Sequence, residues 1–568
     1  MPILHQFDYL FAIGTIFAFL DAWNIGANDV ANSFATSVSS RSLTMKQAMC
    51  IASVMEFVGS VAVGARVAET IRTKIIDPKL FDANPALLML GMVCTVIASS
   101  TYLTLATKLG LPVSTTHSIM GGVIGMGVAS VGASRVSWGW KGVAQVFAAW
   151  GIAPGLAGVF GAIIFLLTKY GVMRRSNPVR NAFFSIPIYF FITGSLIAML
   201  IVWKGASSKI ELSDGGVAGV IVGVGAGIAL LVIVFLLPYL YRKVIKGDWQ
   251  LRPWHIPLGP LLLRRGEIPA APEGMVDSGI QNYYRGHLTR EELDAKRTED
   301  AAAAGDVEKG TAITTTDSAS DVPHAQQHSF TDLEESVSTR PEGPISNPKV
   351  AFWYAKRWFF RGVEKDVVSM QKKRDILSGD IEEAHARSEH YDNRAEYLYS
   401  FLQILTATAA SFTHGANDVS NAIGPYATIY LIWSTGQQKS SVPVPTWILA
   451  FGGAGIVIGL WTYGYNIMRN LGNRLTLMSP SRGFSMELGS AVTIIMATRL
   501  KLPVSTTQCI TGATVGVGLC NGDWRTINWR MVAWIYGGWF ITLPVTAIIS
   551  GCLMGIIINA PRWGYASQ

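Results

Sequence analysis

Charge is what most of this 568-residue chain lacks. Only 15% of its residues are Asp, Glu, Lys or Arg, where an ordinary soluble protein carries about 25%. The deficit is local. Residues 241–398 hold 22 of the 46 basic and 26 of the 38 acidic residues, leaving 24 basic and 12 acidic groups for the other 410 positions. That is too few to solvate a folded surface of that size, which excludes a soluble enzyme. The net charge of +8 divides into +12 on the apolar part and −4 on the charged stretch. It is no electrostatic footprint for nucleic acid. Lys and Arg are absent from the first 40 residues, so a cleavable signal peptide with its basic start is not expected. Asn-x-Ser/Thr acceptors are absent too. The five cysteines (Cys50, Cys94, Cys509, Cys520, Cys552) all lie in apolar stretches without metal-ligand spacing. They read as small core residues, not as a disulfide or zinc framework.

What remains is a series of apolar runs, each near the 20 or so residues that a membrane-spanning helix needs. Twelve are expected: 8–38, 43–68, 86–107, 112–132, 140–168, 182–203, 216–240, 397–433, 446–468, 485–500, 504–520 and 530–558. The first is interrupted by Gly26-Ala-Asn-Asp29, which reads as a helix break. Gly110-Leu-Pro112 and Leu502-Pro503 read as breaks or hairpins, because proline cannot continue a helix. Between the seventh and eighth runs lies a hydrophilic loop, 241–396. It is expected to be largely disordered over about 267–345, and its Ser/Thr content suits regulation by phosphorylation. Its flank Ala351–Arg361 mixes aromatic and basic residues, as a membrane-surface helix does. A helix packed on the membrane body is the competing reading.

Two strings recur in order. Gly26-Ala-Asn-Asp-Val30 returns as Gly415-Ala-Asn-Asp-Val419, and Leu111-Pro-Val-Ser-Thr-Thr116 as Leu502-Pro-Val-Ser-Thr-Thr507. Their separations of 389 and 391 residues nearly agree, so the chain is an internal duplication. Seven runs precede the second copy, and an odd number makes the copies inverted. The expected fold is an all-α polytopic membrane protein of about twelve transmembrane segments, in two inverted five-segment repeats with broken helices and hairpins. The first repeat occupies 1–170, two linking helices 171–240, the loop 241–396 and the second repeat 397–568. Inverted repeats on broken helices belong to secondary transporters, with the site at the midplane. Arg242, Lys243, Lys246, Arg252, Arg387 and Arg394 at the loop's ends favour a cytoplasmic loop, which puts both termini outside.

The motifs carry candidate chemistry. A carboxylate deep in an apolar helix needs a functional reason. Asp29 and Asp418, with Asn28, Asn32, Asn417 and Asn421 beside them, offer hard oxygens suited to Na⁺. Helix capping is the bland alternative for a single copy, and duplication favours the cation site. Ser114, Thr115 and Thr116, with Ser505, Thr506 and Thr507, each follow a proline at a helix start. Free N–H groups and hydroxyls there suit an oxyanion. Glu56 and Glu487 are lone acids in apolar runs. Glu56 reads as a coupling or gate residue, while for Glu487 that role and a helix-end charge remain open. His117 and His414 flank the motifs without being duplicated and read as satisfied polar neighbours.

With the duplicated Gly26–Asn32 and Gly415–Asn421 strings and the duplicated Pro-Val-Ser-Thr-Thr, the chain resembles the inorganic phosphate transporter family, and most of all its fungal, phosphate-repressible sodium symporters. The resemblance covers both halves and none of the loop. It implies Na⁺-coupled uptake of inorganic phosphate at the plasma membrane, with Na⁺ as a co-transported ion, no cofactor and no enzymatic step. It also implies external termini, a cytoplasmic loop open to regulatory proteins, Na⁺ coupling at Asn28, Asp29, Asn417 and Asp418, phosphate at the Ser/Thr triplets, and transport roles for Glu56 and Glu487. Two alternatives stay open at this point: H⁺ as the coupling ion, and a phosphate receptor without net transport. A homo-oligomer is compatible with the resemblance.

Overall fold

The computed structural model describes residues 3–65, 75–140, 142–204, 213–270, 279–309, 341–360, 362–363, 366–372, 376–438, 444–499 and 504–560. The first half runs through α1 (Asp8–Ser39), α2 (Met45–Val63), α3 (Pro85–Leu109), α4 (Thr115–Val131) and α5 (Val143–Thr168). Two linking helices follow, α6 (Pro178–Lys204) and α7 (Asp214–Leu231). The hydrophilic segment contributes α8 (Arg290–Lys309) and α9 (Pro348–Phe360). The second half is α10 (Asn393–Thr435), α11 (Thr446–Tyr463), α12 (Pro480–Arg499), α13 (Thr506–Leu519) and α14 (Trp529–Asn559). Each expected apolar run thus has its helix. Local chemistry sets the ends. Thr44 and Gln47 cap each other reciprocally at the start of α2. Gly110, at φ 72°, ends α3 in the left-handed conformation that glycine favours.

The helices are not equal in length. Eight helical stretches among the described residues are long and apolar enough to cross a membrane. The 17-residue α4 and the 14-residue α13 rise only about 26 and 21 Å, short of the roughly 30 Å hydrocarbon core. They are the second arms of two hairpins, α3–α4 and α12–α13. The tip of the first lies against the middle of α1, where Asn28 binds Leu111 and Val113. Leu502 and Pro503, expected at the second tip, fall outside the described residues. Hairpins leave the crossing parity unchanged, so the second half still enters from the opposite face.

Helix contacts repeat with the halves exchanged. α1 packs on α11 as α10 packs on α2; α5 on α13 as α14 on α4; α3 on α14 as α12 on α5. Such reciprocity is what a two-fold axis produces, and it holds down to single atoms. A Cβ on Gly26 would stand 1.9 Å from the Ile456 carbonyl oxygen, and one on Gly415 2.3 Å from that of Glu56. A Cβ on Gly59 would meet the Phe412 oxygen at 2.3 Å, and one on Gly459 the Trp23 oxygen at 1.9 Å.

Those contacts correct one expectation. α1 and α10 run unbroken through Gly26–Asp29 and Gly415–Asp418. The glycines let two backbones approach; they do not interrupt a helix, and their carbonyls are not freed for a cation. Among the Gly-x-x-x-Gly pairs, Gly455 and Gly459 make such close approaches. Gly151, Gly155, Gly219 and Gly223 have nothing within 4 Å of an added Cβ.

The insert is also more folded than its composition suggests. Within 267–345, Tyr283 and Tyr284 are buried, and the Tyr284 hydroxyl donates to Glu396 at 2.8 Å. Arg297 of α8 donates to Asp380 and Glu383 at 2.9 and 2.6 Å. Two buried rings and paired charges dock this piece, which an average over polar neighbours hides. Residues 310–340, where most of the Ser/Thr content lies, are outside the described residues. α9 packs on the helical body through Phe360, edge-on against Trp461 of α11, while Phe352 is 71% exposed.

The glycine contacts set an expected outcome. Gly459→Ala forces an overlap with backbone and should destabilise the detergent-solubilised protein by about 1–3 kcal/mol. Gly219→Ala should leave it within about 0.5 kcal/mol. Thermal unfolding of both variants checks this.

Candidate substrate and ion site

The duplicated motifs meet where the halves cross. Asp29 and Asp418 are buried on α1 and α10, and α4 and α13 start beside them. Thr115, in the first turn of α4, donates to Asp29 Oδ2 at 3.0 Å. Thr506, its counterpart on α13, donates to Asp418 Oδ2 at 3.1 Å. The two asparagines cross over. Asn32 Nδ2 donates to Thr507 at 2.8 Å and Thr506 at 3.4 Å in the second half. Asn421 Nδ2 donates to Thr115 at 3.0 Å and Thr116 at 3.2 Å in the first. Thr507 also donates to Asp29 Oδ1, at 3.2 Å. Asn32 Oδ1 is buried with no hydrogen-bond partner.

His414 stands between the carboxylates. Its Nδ1 lies 2.7 Å from Glu56 Oε2, and its Nε2 lies 3.0 Å from Asp418 and 3.6 Å from Asp29. One oxygen of each aspartate and a ring nitrogen of His414 fall within 4.8 Å of one another. Two full charges at that distance repel by about 3 kcal/mol at an effective dielectric near 20. No Lys or Arg among the described residues pairs with either carboxylate. The site therefore favours a cation, and its oxygen donors are of the type that hard cations take.

A family model described as the phosphate transporter family matches residues 25–550. This chain belongs to the phosphate transporter family. It is 64% identical to the phosphate-repressible phosphate permease pho-4 of Neurospora crassa, over 99% of this chain and 100% of that one. It is 29% identical to sodium-dependent phosphate transporter 1 of Rattus norvegicus, over 96% and 95% of the two chains. A solved structure described as the sodium-dependent phosphate transporter superposes with a TM-score of 0.58 at 25% identity, covering 97% of this chain and all of the other.

In this phosphate transporter the other candidates take distinct places. Asn28 donates to Thr107 at 3.0 Å and to the Leu111 carbonyl at 3.1 Å, and accepts from Val113 N at 3.1 Å. Both ends of its amide thus hold the hairpin tip, a role the motif does not announce. Asn417 is half-buried at the matching point of α10. Ser114 caps α4 by accepting from His117 N at 3.2 Å; Ser505 is buried at the start of α13 without making that bond. Glu56 reaches the centre through His414 and accepts from Ser411 at 3.0 Å. Glu487 is separate. It accepts from Thr36 at 2.5 Å, Ser37 at 2.9 Å and Gln403 at 3.3 Å, and also from Thr406. A cavity lined by Asn32, Thr413, His414, Glu487 and Thr506 joins it to the centre.

Sequence reasoning undervalued His414. The available signal was its i,i+4 spacing from Asp418, which puts both on one helix face. His117, by contrast, is a buried neighbour: its Nε2 accepts from Trp150 at 3.2 Å.

Asn28→Ala would strand the Val113 N–H in an apolar setting. It should destabilise the protein by about 1–3 kcal/mol, measured as thermal unfolding. Na⁺ affinity per folded molecule should change little, whereas Asn32→Ala should lower Na⁺ affinity with little loss of stability.

Proposed function

We propose that the chain couples Na⁺ entry to uptake of inorganic phosphate across the plasma membrane, by alternating access of two inverted halves around the Asp29–Asp418 centre. The observation that carries the reading is the crossed lattice in which the hydroxyls of Thr115, Thr506 and Thr507 point their hydrogens at Asp29 and Asp418. Na⁺ at the two carboxylates, with Asn32 Oδ1 as a further ligand, neutralises them. Asn421 is its counterpart across the axis. The threonine hydroxyls then turn to phosphate. Ser114, Thr116 and Ser505 complete six hydroxyls at two helix starts, whose free N–H groups and positive ends suit an anion. Asn28 contributes to coupling by holding the hairpin tip beside this site, and Asn417 stands at the matching point of α10. Glu56 sets the orientation of His414, and Glu487 receives the ion on the cytoplasmic approach. The relatives described as sodium-dependent support Na⁺ over H⁺. No covalent chemistry is involved.

Coupling follows from charge. Phosphate brings one or two negative charges toward two carboxylates and Glu56, with His414 between them and no Lys or Arg paired to either aspartate among the described residues, so Na⁺ binds before or with it. Phosphate in turn tightens Na⁺ binding, because coupling is reciprocal. Titrating phosphate into purified protein with Na⁺ and with choline tests this. Wild type should bind at least about tenfold more tightly in Na⁺, a coupling of about 1.4 kcal/mol. Asp29→Asn and Asp418→Asn should lose that dependence and concentrative uptake into liposomes. Equal binding in choline, or full Na⁺-driven uptake by both variants, would refute the assignment. Absence of any uptake by wild type would point to a receptor.

The proposed orientation puts both termini outside and residues 241–396 in the cytoplasm. Ala133, in the turn between α4 and α5, is then external, and Trp524, between α13 and α14, cytoplasmic. In a background without Cys50 and Cys552, Ala133→Cys should react with an impermeant thiol reagent on intact cells, and Trp524→Cys only after permeabilisation. The reverse pattern inverts the topology, and same-side labelling of both removes it.

A further inference from the structure

One face of α1 carries a polar side chain at nearly every turn: Asp21, Asn24, Asn28, Asn32 and Thr36, spaced three, four, four and four residues apart. Residues so spaced share a face, and the stripe rises about 22 Å. α3 lines its first half. Asn24 Nδ2 donates to the Ser100 carbonyl at 3.2 Å and Thr104 at 2.9 Å, and Asn28 to Thr107. At the far end Thr36 donates to Glu487. At the near end is Asp21. It is fully buried, and neither carboxylate oxygen has a hydrogen-bond partner; Asn24 Oδ1, one turn on, is also buried and unpartnered. The Ser99 hydroxyl is the donor nearest Asp21, short of full hydrogen-bond geometry, and it accepts from Ser118 at 3.0 Å. An unpaired carboxylate in such a place is costly and needs a partner.

The repeat shows what this place is. The counterparts of Asp21, Asn24, Ser99 and Ser100 in the second half are Ala410, Thr413, Ser490 and Ala491. Those four residues line the cavity that connects Glu487 with the centre. The position open as a cavity in the second half is therefore closed around a carboxylate in the first. In a transporter of two exchanging halves, the closed copy is the one that opens in the opposite state.

We propose that Asp21, with Asn24 Oδ1 and the hydroxyls of Ser99 and Ser118, forms a second monovalent-cation site that receives Na⁺ on the outer approach, before it reaches Asp29. One carboxylate among neutral oxygens matches a single positive charge; divalent cations collect more carboxylates. Asp21 and Glu487 then hold the two ends of the polar stripe, one acid on each side of the centre.

The inference rests on Na⁺-coupled phosphate transport as proposed above, and its test separates the two. ²²Na⁺ binding to the purified full-length chain is measured without phosphate, alongside Na⁺ activation of phosphate uptake in liposomes. Asp21→Asn should bind one Na⁺ fewer per chain. Its half-saturating Na⁺ concentration should rise about tenfold, while the phosphate KM at saturating Na⁺ stays unchanged. Ser99→Ala keeps the charge and should raise half-saturation less, which supplies the answer if Asp21→Asn fails to insert. Wild-type capacity and half-saturation in both variants would overturn the proposal, leaving Asp21 as a buried structural residue. A wild type whose phosphate binding ignores Na⁺ would overturn it together with the reading beneath it.

Discussion

Two carboxylates lie within 4.8 Å of each other inside a membrane, with no Lys or Arg paired to them among the described residues. Much else in the structure answers that constraint. Threonine hydroxyls at two helix starts point into the site. Two asparagines reach across from opposite halves, and a histidine is wedged between the acids. Each aspartate lies on an unbroken helix, so the oxygens around it come from side chains, not from a frayed backbone. Three acids around one histidine leave an excess of acidic groups, and a cation that offsets it gains control over the anion.

The two-fold relation supplies the geometry, and the departures from it supply the direction. The hairpins, the crossed asparagines and the glycine contacts have counterparts in each half. His414 has Ile25 in its place, Glu56 has Ile456, Asp21 has Ala410 and Glu487 has Val96. Every one of these unmatched groups is ionisable, buried and in or beside the centre or its approaches. A symmetric protein would have equivalent inner and outer approaches. Here acids of different surroundings stand at the two ends, Glu487 ringed by hydroxyls and Asp21 with unpartnered oxygens.

Much was legible in the sequence. Twelve apolar runs gave twelve helices, eight of them among the described residues long and apolar enough to cross a membrane; for those, burial in lipid demands length and hydrophobicity whatever the neighbours are. The duplicated strings located both aspartates and both threonine pairs, since a repeat preserves register. The reading of Gly26 and Gly415 as breaks failed for a specific reason. A glycine in a helix looks the same in sequence whether it ends the helix or admits a neighbouring backbone, and only the position of Ile456 and Glu56 separates the cases. Tyr283 and Tyr284 were lost in a polar segment because two anchoring rings barely change an average composition.

The sequence by itself determined the membrane class, the internal duplication, its inverted sense and the residue types of an oxygen-rich site, because each depends on local composition or on counting. Only the tertiary structure decided which of those residues share a site. Asn28 turned to the hairpin tip while Asn32 turned to Thr507; both are asparagines of one motif, one helical turn apart. Asp21 and Asp418 are far apart in the chain, and nothing along it says that one lies in a closed approach and the other at the centre. That distinction comes from how α1 and α10 pack against the two hairpins and against each other, and no local pattern encodes it.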